Sequence, residues 1–191
     1  RQSTDKGKNY FKEVMAKCST LMKSIVNNPK PVIAEVAGVA TAAGCQLVAS
    51  CDLAYAGKSA RFATPGVNIG LFCSTPMVAL SRNVSNKHSM EMLLTGELVS
   101  AEKAEKIGLI NKVLDDSLLQ SYTLEIARKI SKKSSMTLKI GKAAFYKQVD
   151  MNLSEAYDYT SNVMVENMLK IDAEEGVDAF IEKRNPNWQD K

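Results

Sequence analysis

Histidine occurs only once in the 191 residues, as His88, and no two of the four cysteines form a C-x-x-C pair. A zinc-type ligand set is therefore excluded, and no metal is expected. Cys18, Cys45, Cys51 and Cys73 fall at irregular spacings, three of them among apolar or small residues, and read as reduced thiols used as small hydrophobes. No apolar run approaches the roughly 18 residues of a membrane span. A large excess of one charge is also missing. The 25 basic and 21 acidic side chains leave a net +4, spread along the chain, which suits anionic ligands weakly and argues against nucleic-acid binding. The chain opens on Arg1, not Met, and RQSTDKGKN has no cleavable signal pattern. A fragment or processed chain is expected, with any targeting segment gone. What is present has ordinary globular composition, 45% hydrophobic and 24% charged. A chain of this length buries roughly 70% of its unfolded surface, so it needs no staples and is not mainly disordered.

Apolar residues Phe11, Val14/Met15, Cys18, Leu21/Met22 and Ile25 recur at helical spacing from Tyr10, and Asn27-Asn28-Pro29 stops the helix. VIAEVAG reads as a strand ended by Gly38, TAAGCQLVAS as a tightly packed helix from near Ala42, and Cys51–Ala56 as a buried strand. Residues 30–57 thus form one βαβ unit. Residues 58–76 are loop-rich, with Phe62 in a short strand. Helices are expected at 75–82, at 86–95 and from Ser100, the last capped by Ser100 and ended by Gly108, with LINKV as a last strand. Beyond Asp116 four helical patterns follow. The expected organisation is an α/β core over residues 1–115 and a helical region over 116–191.

The stretch Gly38–Gln46, GVATAAGCQ, is where chemistry is most readable. Small residues at a strand-to-helix junction let a ligand approach the backbone. The first turn of a helix has unpaired N–H groups and a positive dipole end, suited to an anion or to a carbonyl oxygen gaining charge. The same small residues also serve plain helix–strand packing.

KPVIAEVAGVATAAGCQLVASCDLAYAG followed by FATPGVNIGLF resembles the enoyl-CoA hydratase/isomerase, or crotonase, family. TGELVSAEKAEKIGLINKV and the C-terminal Phe180-Ile181-Glu182-Lys183-Arg184 match later family motifs in the right order, nearly end to end from Tyr10. The resemblance implies a ββα spiral core, here lacking its first strands, with a C-terminal helical trimerisation region. It implies a homotrimer or hexamer that binds acyl-CoA in fatty acid and lipid metabolism. The segments TAAGCQLVASCD and FATPGVNIGLFCSTP closely resemble a mitochondrial member, so a mitochondrial location with a removed transit peptide is expected. Coenzyme A would be carried by the substrate or ligand; no cofactor is implied.

By the same resemblance a thioester carbonyl lies in a two-amide oxyanion hole. One amide aligns with Ala43; the other belongs to a loop upstream of Tyr10. Family hydratases place glutamates where this chain has Gln46 and, after Thr64-Pro65, Gly66. Hydration needs one group to take a proton from water and one to deliver a proton to the α-carbon. Gln46 is neutral and Gly66 has no side chain. Losing one positioned acid–base group costs on the order of 10²–10⁴ in rate, so efficient hydration is not expected.

Thr64, Asn68, Cys73, Ser74 and Thr75 follow closely and are candidates to line an acyl pocket; Cys73 is read as an inert buried thiol. Asp52 fits a structural strand position, and His88 a surface one. Gln46 either orients a water or the thioester carbonyl, or fills space as a packed polar residue. Phe180 and Lys183 align with family positions that reach a neighbouring subunit's CoA, against the alternative of a helix with Phe packed inside and Lys solvated. Lys129, Lys132 and Lys133 read as a solvated face. Two other functions compete: a true 2-enoyl-CoA hydratase using another acid, and a non-catalytic binding or scaffold protein. Restoring Gln46→Glu and Gly66→Glu together is expected to raise hydratase activity if the pocket is otherwise intact.

Overall fold

A computed structural model describes residues 4–191, and Arg1, on which the expectation of a processed start rested, lies outside them. Helix α1 spans Lys8–Val26 and buries only Met22 and Ile25 of its apolar set. It ends where Asn28 Oδ1 accepts from the Lys30 N–H at 2.9 Å, just before Pro31 bars further helix. Strand β1 (Ile33–Val36) is followed at once by β2 (Val39–Thr41), so Gly38 separates two strands instead of ending one. Helix α2 (Ala43–Ser50) then leads to β3 (Leu53–Gly57) and β4 (Arg61–Ala63).

Each successive ββ pair contributes its first strand to one sheet and its second to another. β1 pairs with β3 in parallel, Ile33 opposite Leu53 through Val36 opposite Ala56. β2 pairs with β4 in parallel, Val39 opposite Arg61 through Thr41 opposite Ala63. A 3-10 turn, Pro65–Ile69, leads to α3 (Pro76–Asn83) and α4 (Asn86–Thr95), the latter closed by Gly96 in left-handed conformation at φ 64°. β5 (Val99–Ser100) adds antiparallel to β4. Ser100 also caps α5 (Ala101–Lys106), its Oγ accepting from the Lys103 N–H. β6 (Lys112–Leu114) completes the first sheet in the order β1-β3-β6, beside β2-β4-β5.

This spiral is built around small side chains. Ala34, Ala40, Ala49, Ala54, Ala56, Ala60, Ala101 and Ala104 join Phe62, Leu80 and Met92 in one buried cluster. Short strands and alanine-rich faces allow the layers to approach closely, and Phe62, Leu80 and Met92 fill the gaps between them.

Four helices follow: α6 (Leu119–Ser131), α7 (Ser135–Gln148), α8 (Leu153–Met168) and α9 (Ile171–Ile181). The chain divides into two compact units, one comprising residues up to Val26 with Val32–Leu124, the other Asn27–Pro31 with Glu125–Lys191. Within the second unit Asp172, 2% exposed, accepts from the N–H groups of Gln189 (2.7 Å) and Asp190 (3.1 Å). Asp190 Oδ1 accepts in turn from the Ser135 N–H at 2.8 Å, and Trp188 Nε1 donates to the Lys132 carbonyl at 2.8 Å. The C-terminal segment is thereby strapped onto its helices.

Candidate functional site

β2 and β4 are parallel and end in register, Thr41 opposite Ala63. The segments that follow them leave the sheet at the same edge, where open α/β sheets form their ligand crevices. From β2 comes Ala42 and the start of α2; from β4 comes Thr64 and the 3-10 turn. The Ala42 N–H donates to the Ala63 carbonyl at 2.9 Å and joins the two exits.

Ala42, the residue before α2, has φ 48° and ψ −114°. This is the geometry of the first central position of a type II′ turn, normally taken by glycine. An alanine held there carries strain on the order of 1–3 kcal/mol. The next residue, Ala43, is exposed, and its N–H lies in the first helical turn, which has no intrahelical acceptors and carries the positive dipole end. A polarised oxygen can be received there without any side chain.

Gln46 sits one turn further on, its N–H donating to the Ala42 carbonyl at 3.0 Å. It is 5% exposed, and its Oε1 accepts from the Cys18 thiol of α1 at 3.7 Å. Gly66 lies just past β4 in the 3-10 turn. Its N–H donates to Cys73 Sγ at 3.3 Å and its carbonyl accepts from the Leu71 N–H at 2.9 Å. A Cβ at residue 66 would lie 2.8 Å from the Leu71 carbonyl oxygen and 2.9 Å from Cys73 Sγ. The space beside Gly66 is occupied by the segment 71–73. Placing a glutamate there therefore requires backbone movement, which the sequence did not reveal.

Four of the five acyl-pocket candidates fall in two environments. Thr64 is fully buried, with no hydrogen-bond partner for Oγ1 among the described residues, and Cys73 is buried beside Gly66. Asn68 and Ser74 are exposed, with Asn68 Nδ2 donating to the Gly96 carbonyl at 3.5 Å and Ser74 Oγ to the Phe72 carbonyl at 3.3 Å. Burial, with Cys73 nearby, pushes the Cys45 thiol up to about 12, so it is not a nucleophile at neutral pH. Asp52 Oδ2 accepts from the Val32 N–H at 2.6 Å and tethers the start of β1. His88 lies at the surface, with Nδ1 3.7 Å from Glu91 Oε2. Among the described residues no three His, Cys, Asp or Glu side chains gather as a metal site.

In the second unit Phe180 is 85% exposed, while its neighbour Ala179 is buried. Within its own chain the Phe180 ring is therefore not packed inside α9. Lys183 takes φ 56°, and the Arg184 N–H closes the helix onto the Ala179 carbonyl at 3.0 Å. Phe180, Val177 and Trp188 wall an open pocket of about 640 Å³. Lys129, Lys132 and Lys133 are exposed.

Two parallel ladders wound from ββα turns, with a backbone-lined edge at the first residue of α2, define the crotonase class of α/β fold. The enoyl-CoA hydratase/isomerase profile matches residues 2–191, and the chain belongs to that family. It is 51% identical over 189 residues to the mouse (Mus musculus) enoyl-CoA hydratase domain-containing protein 3, mitochondrial, a match covering 98% of this chain and 63% of that one. The chain thus spans less than two thirds of this relative's length. The crystal structure of human enoyl-CoA hydratase domain-containing protein 3 superposes with a TM-score of 0.94 at 52% identity, covering 97% of this chain and 74% of that chain. A Mycobacterium smegmatis enoyl-CoA hydratase gives 0.93 at 47% identity, covering 98% and 72%. No helix among the described residues is long and apolar enough to cross a membrane.

Proposed function

We propose that this protein binds an acyl-CoA thioester with its carbonyl oxygen at the Ala43 N–H, and that it is not an efficient hydratase. The single observation that carries this reading is the shared edge of β2 and β4. From that edge lead the first-turn N–H of Ala43 and, one turn on, the neutral Gln46 of α2, and past β4 a Gly66 closed off by its own loop. An N–H at a helix start stabilises negative charge on a thioester oxygen, and so an enolate, without any change of protonation. Neither flanking position supplies a proton acceptor. The chemistry these residues themselves support is thioester-enolate stabilisation, with a second amide from an upstream loop completing the oxyanion hole. Reactions in which the substrate supplies its own driving step, such as decarboxylation, suit such a site better than water addition.

The mitochondrial name of the mouse relative supports a mitochondrial location, and the acyl-CoA reading itself a role in fatty acid and lipid metabolism. Phe180 and Lys183, both exposed, are suited to the adenine and the phosphates of a CoA bound in a neighbouring subunit of a homotrimer or hexamer.

Calorimetry of the intact protein against a panel of saturated, 2-enoyl and malonyl-type CoA thioesters tests the reading. Saturable binding is expected, together with crotonyl-CoA turnover at least about 10²-fold below that of a hydratase bearing both glutamates. Absence of binding, or turnover at hydratase level, overturns it.

A further inference from the structure

Gln46 is a buried carboxamide, and its α1 side is defined by one contact. Cys18 stands half-buried in α1 and directs its thiol to Gln46 Oε1 at 3.7 Å. A carboxamide offers one accepting oxygen and a donating NH₂, whereas a thiol donates and accepts only weakly. The oxygen end is thus the end that faces α1. Among the described residues no acceptor takes the Nε2 hydrogens, and Nε2 is not one of the sealed, unpartnered polar atoms of the chain, so it keeps some access to solvent.

The geometry points to Cys18 as a positioning residue, whose S–H holds Oε1 against α1 and presents Nε2 as a neutral donor to an oxygen of the bound thioester. This rests on the reading of the site given above. Ala43 and Gln46 are three residues apart on α2, the spacing that brings two positions onto one helix face. A backbone N–H and a side-chain N–H then meet the same ligand, and neither needs to ionise. Without the thiol the amide is free to turn over about its last bond. The carbonyl oxygen would then oppose the ligand oxygen instead of receiving it.

A double-mutant cycle read by calorimetry with butyryl-CoA tests this. Cys18→Ala is expected to weaken binding about 2–4-fold, the lower end of the net worth of a neutral hydrogen bond, as befits a weak thiol donor. Cys18→Ser, which keeps a hydroxyl donor on the same Cβ though on a shorter bond, is expected to restore it in part. In a Gln46→Met background Cys18→Ala is expected to change affinity no further. A merely packing role predicts equal losses in both backgrounds and no rescue by serine; either result overturns the proposal. If Cys18→Ala does not fold, Cys18→Val, closer in volume to the thiol, takes its place in the cycle. Failure of the unaltered protein to bind butyryl-CoA sinks the reading of the site and this role with it. Binding that is indifferent to the background sinks the role of Cys18 alone.

Discussion

Ala42 and Gly66 stand at the same sheet edge and have opposite relations to their backbone. Ala42 holds a conformation that suits glycine, so its Cβ is a burden. Gly66 needs its missing Cβ, because the Leu71 carbonyl oxygen stands 2.8 Å from where that atom would be. Ala42→Gly is expected to stabilise the protein by about 1 kcal/mol by relieving the turn, and Gly66→Ala to destabilise it by about 1–3 kcal/mol through overpacking. At roughly 2–4 °C per kcal/mol for a chain of this size, thermal melting resolves both shifts. A fall in melting temperature for Ala42→Gly would remove the strain argument. The same geometry alters the outcome expected from restoring both glutamates: Gly66→Glu must displace segment 71–73 before it can contribute any acid–base chemistry. That residues 46 and 66 carry no ionisable side chain was legible in the sequence, since residue type alone decides it. The closed space beside Gly66 was not, because it depends on where the loop five to seven residues later returns.

At the scale of elements, the helices were the most readable part, since apolar periodicity over ten or more residues outweighs local noise. Their burial was less readable. Phe11, Met15 and Leu21 share the apolar stripe of α1 yet remain exposed, and only Met22 and Ile25 are buried. Two strands were missed for a physical reason: β2 has three residues and β5 two, too short to show alternation. Both are held by pairing with β4, which no local pattern can announce. The C-terminal segment is likewise held by distant partners. Arg184 bridges Glu175 through both nitrogens of its fork, and the Asn187 N–H adds a bond at 2.6 Å. The Arg184 hydrogen bond, then the Asn187 N–H, holds the Glu175 carboxyl down at about 2, below its ordinary 4.5. A depressed carboxyl contributes stability that is complete above its unfolded value and is lost as pH falls toward the folded one. Burial opposes ionisation of Asp172, but bonds from Ser134, Gln189 and Asp190 outweigh it and hold its carboxyl below the ordinary value, so its contribution has the same sign. Melting temperature is therefore expected to fall between pH 4.5 and 2. Arg184→Met should make that fall shallower, and added salt should shrink the difference, since the pair is partly exposed. Identical slopes for the two proteins would show that the strap does not depend on this pair.

On the scale of the whole molecule, the helical region exposes more apolar surface than a free-standing unit tolerates well. Leu153, Tyr157, Met168, Leu169, Phe180 and Ile181 are each more than 60% exposed. Large apolar surfaces of soluble proteins mark interaction sites. The proposed homotrimer or hexamer would give these side chains a cover, and would bring Phe180 and Lys183 to a thioester bound in a neighbouring subunit. The two roles separate by mutation. Lys183→Ala removes one cation from an exposed left-handed position, and Lys183 has no ion-pair partner among the described residues. It should weaken CoA thioester binding severalfold and leave the mass measured by light scattering unchanged. Met168→Lys with Leu169→Lys charges the apolar end of α8 and should lower the mass to that of a monomer. If Phe180 and Lys183 complete a neighbour's site, that variant loses affinity as well, although both residues are intact. A monomeric mass for the unaltered protein would overturn the assembly. Full affinity in the monomeric variant would return Phe180 and Lys183 to the solvent.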